Sequence, residues 1–294
     1  MATSETEKPR VDAHTGFPTT GHEWDGVSEL NQPLPRWWLW IFYATIVWSI
    51  GYWVLYPSWP LISSYATGTL GWHSRDAVVA DLDALKASRG PMVAQLTAAP
   101  IADINANAAL LDFTLAYGRV AFKENCVPCH GSGGGGAVGY PNLIDDDWLW
   151  GGTPETITQT ITFGVRNANE DSRQSQMPAF GRDGLLTKEQ IINVARYVRS
   201  LSGLEVAPGG DVAAGAKTFA DNCVACHGDA GKGNRELGAP NLTDAVWLYG
   251  SDLGTIVTTI TNSRGGSMPA WGERLDPTTI KALTVYVHSL GGGE

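Results

Sequence analysis

Cys126-Val127-Pro128-Cys129-His130 stands near the middle of the chain and returns as Cys223-Val224-Ala225-Cys226-His227. Cys-x-x-Cys-His is the attachment pattern of c-type haem: the two thiols form thioethers with the haem vinyl groups, and the adjacent imidazole binds the iron. The chain holds four cysteines, and the two words use all of them. Two disulfides or a Cys-rich zinc site would also use an even count, but neither explains a His after the second Cys on both occasions. Two covalently bound haem c groups are therefore expected, with Cys126, Cys129, Cys223 and Cys226 as attachment points and His130 and His227 as iron ligands. Electron transfer is the first chemistry to consider.

The words sit inside an internal duplication. Phe122, Asn125 and Cys126 correspond to Phe219, Asn222 and Cys223; Pro141-Asn142-Leu143 to Pro240-Asn241-Leu242; Trp148 to Trp247; Met177-Pro178-Ala179-Phe180 to Met268-Pro269-Ala270-Trp271; and Tyr197 to Tyr286. Each unit reads as helix, haem word, loop, middle helix, Met-Pro loop and final helix. Thr187-x-x-Gln190 is a capping box opening a helix over 191–201. Asp276-Pro277 is an N-cap followed by Pro at the first helical position, and Ile280, Leu283, Val287 and Leu290 form an apolar stripe at helical spacing, the mark of a core face. The order and motifs of both units resemble class I cytochrome c domains, over about 108–203 and 210–291. The resemblance implies that Gly118 and Gly215 let a first and a last helix cross closely, near Tyr197 or Tyr286.

Met177 and Met268 each follow a haem word, precede a Pro and lead into a final helix. A residue before Pro is held extended, which suits a loop that presses a thioether toward iron, and a Met ligand raises the haem potential. A Met filling a core gap is the plainer reading, and the duplication at equivalent positions stands against it. Met177 and Met268 are thus the expected second axial ligands. Met92 precedes both words and lacks the Pro, so it reads as linker packing. Residue pattern leaves open whether each Met serves its own repeat; the simpler arrangement keeps each repeat to itself, and ligation across repeats would require interleaved domains. Arg166, Arg173 and Arg264 fall between middle helix and Met loop and could pair with a propionate or remain solvated. The Gly-rich run 132–136 lacks the Lys of a phosphate loop and reads as a flexible surface turn. His73 suggests a hydrogen-bonding or interfacial role, and His288 a surface one.

Ahead of the repeats, Trp37 to Tyr56 contains no charged residue. As a helix it would be about 30 Å long, one hydrocarbon core thick. Trp37, Trp38 and Trp40 crowd one end and Tyr52, Trp53, Tyr56 and Trp59 the other, like two interfacial belts, and Pro57 and Pro60 stop the helix beyond. The run is too long, too late and without a small-residue cleavage site to be a secretory signal, so it reads as an uncleaved anchor. Charge asymmetry is slight: Lys8, Arg10 and Arg36 before the span, Arg75 the first positive residue after it. Covalent c-type attachment takes place outside the bacterial cytoplasmic membrane, which puts the haem units in the periplasm and the N-terminal arm in the cytoplasm. The expected organisation is a mainly α protein with one N-terminal transmembrane helix and two tandem class I cytochrome c domains: arm 1–36, anchor 37–60, a partly helical linker 61–107, and domains 108–205 and 206–294.

The net charge of −10 argues against nucleic acid, which wants a basic face. It suits docking of a basic electron carrier, and equally ordinary solubility. The span holds no His, so the chain lacks the imidazole cluster of a haem-copper oxygen site and must pass electrons to a partner.

The arm narrows the pathway. Gly21-His22-Glu23-Trp24-Asp25-Gly26-Val27, then Glu29 to Trp38, then Tyr56-Pro57-Ser58-Trp59-Pro60 and Gly71-Trp72 resemble the dihaem subunit III of cbb3-type cytochrome c oxidases in its single-span form. No second apolar run is long enough for the second helix that some members of that family carry. The resemblance implies a bacterial inner-membrane protein that takes electrons from a soluble or membrane cytochrome c or the cytochrome bc1 complex. It would pass them to a monohaem membrane cytochrome c subunit and on to the catalytic haem-copper oxidase subunit of a proton-pumping respiratory oxidase, with a small accessory subunit and membrane lipid as further neighbours. The span and the apolar positions Val78, Val79, Leu82 and Leu85 are candidate contacts to these partners; alternatively that segment packs on its own haem domain. A membrane-anchored dihaem cytochrome c of another periplasmic dehydrogenase or reductase shares every haem residue, and only the arm and span discriminate.

Overall fold

The computed structural model describes residues 9–206 and 208–291; Lys8, counted above toward the charge asymmetry, lies outside them. The chain divides into two compact units, Met1–Ala87 and Ser88–Glu294. The first begins with an antiparallel hairpin, β1 (Thr19–Trp24) and β2 (Val27–Leu30), pairing Trp24 with Val27 and Glu23 with Ser28. Sequence reading assigned this arm no structure. Its turn is Asp25-Gly26, with φ of 49° and 83°, and two consecutive positive φ values are what a two-residue hairpin turn between right-twisted strands requires.

The apolar run forms helix α1, Arg36–Leu55, none of it buried. Tyr56, held extended ahead of Pro57, ends it (ψ 164°), as steric conflict with the proline ring dictates. The chain then doubles back: the amides of Thr69 and Leu70 bond the carbonyls of Val54 and Leu55 at 2.9 and 3.1 Å, satisfying acceptors that a helix end leaves orphaned. Aromatic rings fasten this end together, Tyr52 on Tyr56 at 4.7 Å and Trp53 against Trp59 at 4.8 Å.

The linker, read as partly helical, carries α2 (Ser74–Ala98) and α3 (Ile101–Ala106). Val78, Val79, Leu82 and Leu85 are all exposed. The burial on α2 lies later: Leu96 is fully buried with Ile104, Leu110, Ala282 and Val285, and Met92 packs beside them, the linker role read for that Met.

The two haem-word units are built from α4 (Ala108–Asn125), α5 (Val127–His130) and α6 (Pro154–Phe163); α7 (Lys188–Leu201) and α8 (Val212–Asn222); and α9 (Val224–His227) and α10 (Leu253–Asn262). The last helix is α11 (Pro277–His288). The capping box at Thr187 is formed in both directions, and Asp276 accepts from the amides of Thr278 and Thr279 at 3.0 Å. The helices do not stay within their repeats. The final helix of the first repeat, α7, packs on α8, the first helix of the second; α11 closes on α4 and α6, and α10 packs on α7. Short connections favour packing between consecutive elements, and only Ser202 to Asp211 separates α7 from α8. With α8 so occupied, α4 is left for α11. One core accordingly joins Phe122, Ile157 and Ile161 of the first repeat with Ile280, Leu283 and Val287 of the second; the other joins Val194 and Val198 with Phe219.

Both crossings rest on glycine. A Cβ on Gly118 would lie 2.4 Å from the Ala282 carbonyl oxygen and 2.7 Å from the Tyr286 Cβ; one on Gly215 would lie 2.2 Å from the Asn193 carbonyl oxygen. Where the repeats face each other, Asp147 of the first and Asp244 of the second line one cavity of about 640 Å³. Burial pushes the Asp147 carboxyl up to about 6, reinforced by Asp244 and then by Asp145 and Asp146.

Two outcomes follow from this packing. Gly118→Ala should destabilise the protein by about 1–3 kcal/mol, because the clash with backbone outweighs the helix propensity that Ala adds; a denaturant midpoint equal to the parent's would show that the helices do not cross this closely. The raised Asp147 pKa means the folded state keeps a proton that the unfolded chain releases, so this group's contribution is lost as pH rises from about 4 through 6. Thermal unfolding across that range should show a shallower pH dependence for Asp147→Asn, and an unaltered slope would count against the pairing.

Candidate haem sites

Each haem word forms one turn of helix capped by the end of the helix before it: the amides of Cys126 and Cys223 bond the Phe122 and Phe219 carbonyls, both at 2.8 Å. The turn brings two thiols and an imidazole to one end of each core. Burial pushes the Cys126 and Cys223 thiols up to about 11, with the second Cys of each word adding to the rise. Such thiols stay protonated at neutral pH in the absence of a bound group, and no disulfide joins any of the four.

The imidazoles are oriented by a bond that sequence reading missed. Nδ1 of His130 lies 3.0 Å from the Pro141 carbonyl oxygen, and Nδ1 of His227 lies 3.0 Å from that of Pro240. A carbonyl can only accept, so Nδ1 carries the proton and Nε2 keeps a lone pair for a metal. Burial moves both imidazoles below their ordinary value, partly opposed by the proline bond, so both are neutral bases. The duplicated Pro-Asn-Leu carried this signal. Its Pro supplies the acceptor, its Asn side chain caps the following turn (Asn142 to the Ile144 amide at 3.1 Å, Asn241 to the Thr243 amide at 3.0 Å), and its Leu enters the core.

The run 132–136, read as a flexible surface turn, is tied down instead. The Gly136 amide bonds the His130 carbonyl at 2.8 Å, and the Leu143 amide bonds the Gly134 carbonyl at 2.7 Å; Gly233 and Leu242 repeat both bonds in the second unit. These loops lead to the cavity between the repeats, which both prolines and both Trp148 and Trp247 line.

The Met-Pro loops are exchanged. Met268 packs in the core that holds Phe122, Cys126 and Val127 of the first repeat. Its amide and carbonyl pair with Val165 at 2.9 and 3.0 Å, Asn167 Nδ2 donates to its carbonyl at 2.8 Å, and the Trp271 and Gly272 amides bond Ile161 and Thr162. Met177 mirrors this in the second repeat: it packs with Val257 and Ile260, its carbonyl accepts from Ser263 Oγ, and the Gly181 and Arg182 amides both bond Thr261. The loops therefore do not pack within their own repeats, the arrangement that sequence reading took as simpler. The physical reason is the α7–α8 pairing: a loop placed ahead of α7 must follow that helix to the second repeat's core.

The three arginines are already engaged. Arg166 bonds the Gly266 and Ser175 carbonyls, each at 2.8 Å. Arg173 lies over Trp150 at 5.0 Å, and Arg264 over Tyr249 at 4.5 Å. They brace the exchanged loops. His73 accepts or donates through Nδ1 to the Tyr65 hydroxyl at 2.9 Å, the kind of role expected for it.

The residues present fit haem. Cys126 and Met268 pack on one core, Cys223 packs on another and Met177 on a cluster with Val257 and Ile260. Each word adds a neutral imidazole with its Nε2 lone pair available, and the Trp247 Nε1 is buried with no partner among the described residues, a donor that a haem carboxylate would satisfy.

Comparison with known proteins places the chain in a family. Residues 16–63 match the family described as the N-terminal domain of cytochrome oxidase-cbb3, FixP, and residues 114–198 and 210–287 match cytochrome c oxidase, cbb3-type, subunit III. The cbb3-type cytochrome c oxidase subunit FixP of Azorhizobium caulinodans is 60% identical over the whole of both chains. FixP of Bradyrhizobium diazoefficiens is 58% identical, over 98% of this chain and 100% of its own, and subunit CcoP of Cereibacter sphaeroides is 51% identical, over 94% and 96%. The match takes in the arm and span that alone separate an oxidase subunit from a cytochrome of another complex. The chain belongs to the FixP/CcoP family, the cytochrome c electron-transfer subunit III of cbb3-type oxidases.

Proposed function

We propose that the chain is a dihaem relay whose two haems are each held by both repeats. Cys126, Cys129 and His130 would hold the first, with Met268 as its second axial ligand; Cys223, Cys226 and His227 would hold the second, with Met177. The observation that carries this is the seating of Met268 in the core of Cys126, with Met177 on the opposite exchange. When bound, haem supplies a one-electron Fe(III)/Fe(II) couple. The prolines' carbonyls keep each imidazole in the tautomer that can ligate. A thioether ligand would favour the reduced state and close the site to exogenous ligands, which fits carriage of electrons rather than oxygen binding or peroxidase chemistry.

The wider reading follows from the family. Helix α1 is the single anchor in a bacterial inner membrane, with the N-terminal arm cytoplasmic and the haem unit periplasmic, where covalent attachment occurs. Electrons enter from a soluble or membrane cytochrome c or the cytochrome bc1 complex. They leave through the monohaem membrane cytochrome c subunit to the catalytic haem-copper subunit, with a small accessory subunit beside them. Purification through a tag on this chain should bring down a haem-copper subunit; recovery of a dehydrogenase or reductase without one would overturn the assignment.

The exchanged ligation has its own test. Cys126→Ala leaves one thioether on the first haem, which shifts that haem's ferrous band to longer wavelength and labels it. Adding Met268→Ala should lower the potential of the labelled haem and let it bind carbon monoxide, while Met177→Ala should do both to the unlabelled one. The opposite pairing of effects would mean that each Met serves its own repeat.

A further inference from the structure

The hairpin ahead of the anchor has no core of its own. Of its residues only Thr19 is buried, every residue of β2 is exposed, and Trp24 and Val27, paired across the turn, are 56% and 69% exposed. An isolated two-stranded hairpin is marginal in water. Here His22 stacks on Trp24 at 5.7 Å and Arg10 pairs with Thr19 at the ribbon's base, yet Trp24 and Val27 stay exposed side by side and call for something to cover them. The charge says what. Between Val11 and Pro35 there is no Lys or Arg, while Glu23, Asp25 and Glu29 lie on the strands and at the turn; none of the three makes an ion pair among the described residues. An anionic leaflet repels such a surface. The cytoplasmic loops of membrane-spanning proteins carry an excess of Lys and Arg, and they are what an acidic, aromatic-tipped hairpin held at the membrane entry complements. The connection to α1 is five residues, Asn31 to Pro35, two of them proline, so the hairpin stays close to that surface.

We infer that the 19–30 hairpin is a docking element that seats Trp24 and Val27, with Glu29 on the same face, Asp25 at the turn and Glu23 on the reverse face, on a basic cytoplasmic loop of a membrane-spanning subunit of the oxidase. This rests on the proposed orientation of the anchor. The hairpin thereby adds a contact on the cytoplasmic side to whatever α1 makes within the bilayer.

The test uses the full chain in the assembled complex. A photo-crosslinking residue at Val27 (Val27→p-benzoylphenylalanine) should yield an adduct with a Lys/Arg-rich cytoplasmic loop peptide of a spanning subunit, identified by mass spectrometry. Charge reversal through Glu23→Lys, Asp25→Lys and Glu29→Lys should cut the adduct on the order of tenfold. Because reversal could also disturb the hairpin, the Val27 adduct with native charges is decisive: an adduct only with lipid, only with another copy of this chain, or none at all, overturns the docking. Orientation is read separately, from Ser28→Cys and a membrane-impermeant maleimide. Labelling of intact spheroplasts would overturn the cytoplasmic placement of the arm and the docking with it. Labelling only after permeabilisation, with no loop adduct, would leave the placement standing and remove the docking alone.

Discussion

The close crossing of helices at Gly118 and Gly215 governs the haem unit. Each glycine admits a helix whose backbone would otherwise collide with the first added carbon, and in each case that helix belongs to the other repeat: Ala282 and Tyr286 over Gly118, Asn193 and Tyr197 over Gly215. Phe122 then meets the Tyr286 ring at 5.4 Å and Phe219 meets that of Tyr197 at 5.3 Å. Once these crossings are made, the Met-Pro loops ahead of α7 and α11 have no freedom to return to their own repeats. The exchange is thus a consequence of chain connectivity acting through two contact points.

Most of each site's composition was legible because the chemistry demands rare residues in fixed order. Thiols and imidazole fall within one turn, and Met precedes Pro. The capping box at Thr187 and the cap at Asp276 were equally plain, since they satisfy amides a few residues away. What escaped was tertiary. Pro141 and Pro240 act through carbonyls, which every residue has, so only their duplication hinted at a role. Partner choice between α4, α7, α8 and α11 depends on which helix is nearest once the chain is connected, and the two repeats carry nearly interchangeable stripes, so periodicity alone could not choose. The hairpin was a different omission, since Asp25-Gly26 between short alternating runs is a local signal.

The exchange has a consequence for a relay. Electron transfer falls off steeply with distance, so two centres that pass electrons must be held at a fixed spacing. Separate domains on a linker would hold that spacing only through a small, polar interface. Here the backbone pairing of Val165 with Met268, the Thr261 and Thr162 carbonyls that take amides from the opposite loop, and the shared cores tie the two sites into one unit. On the proposed ligation, displacing one repeat against the other would pull a thioether from each haem at once. The sites should therefore hold or fail together, and a static spacing becomes a property of the fold rather than of a tether.

The membrane-proximal unit obeys the opposite logic. Its helix buries nothing against the chain, and its largest exposed side chains, among them Trp40, Val47 and Trp48, would be costly in water, since a fully buried large apolar side chain is worth about 1.5–3 kcal/mol relative to exposure. Lipid and neighbouring helices offset that cost. Association between helices inside a bilayer, however, gains nothing from the hydrophobic effect and depends on packing and hydrogen bonds. Along α1 the Thr45 and Ser49 hydroxyls are both turned back onto their own helix, to the carbonyls of Phe42 and Thr45, so the span presents few polar groups for a specific grip. A subunit anchored by such a helix must draw its specificity from what flanks the bilayer. On the proposed orientation the segments that flank the span are unlike in kind: an interleaved haem unit follows it, and an acidic hairpin whose stability is left for a partner to supply precedes it.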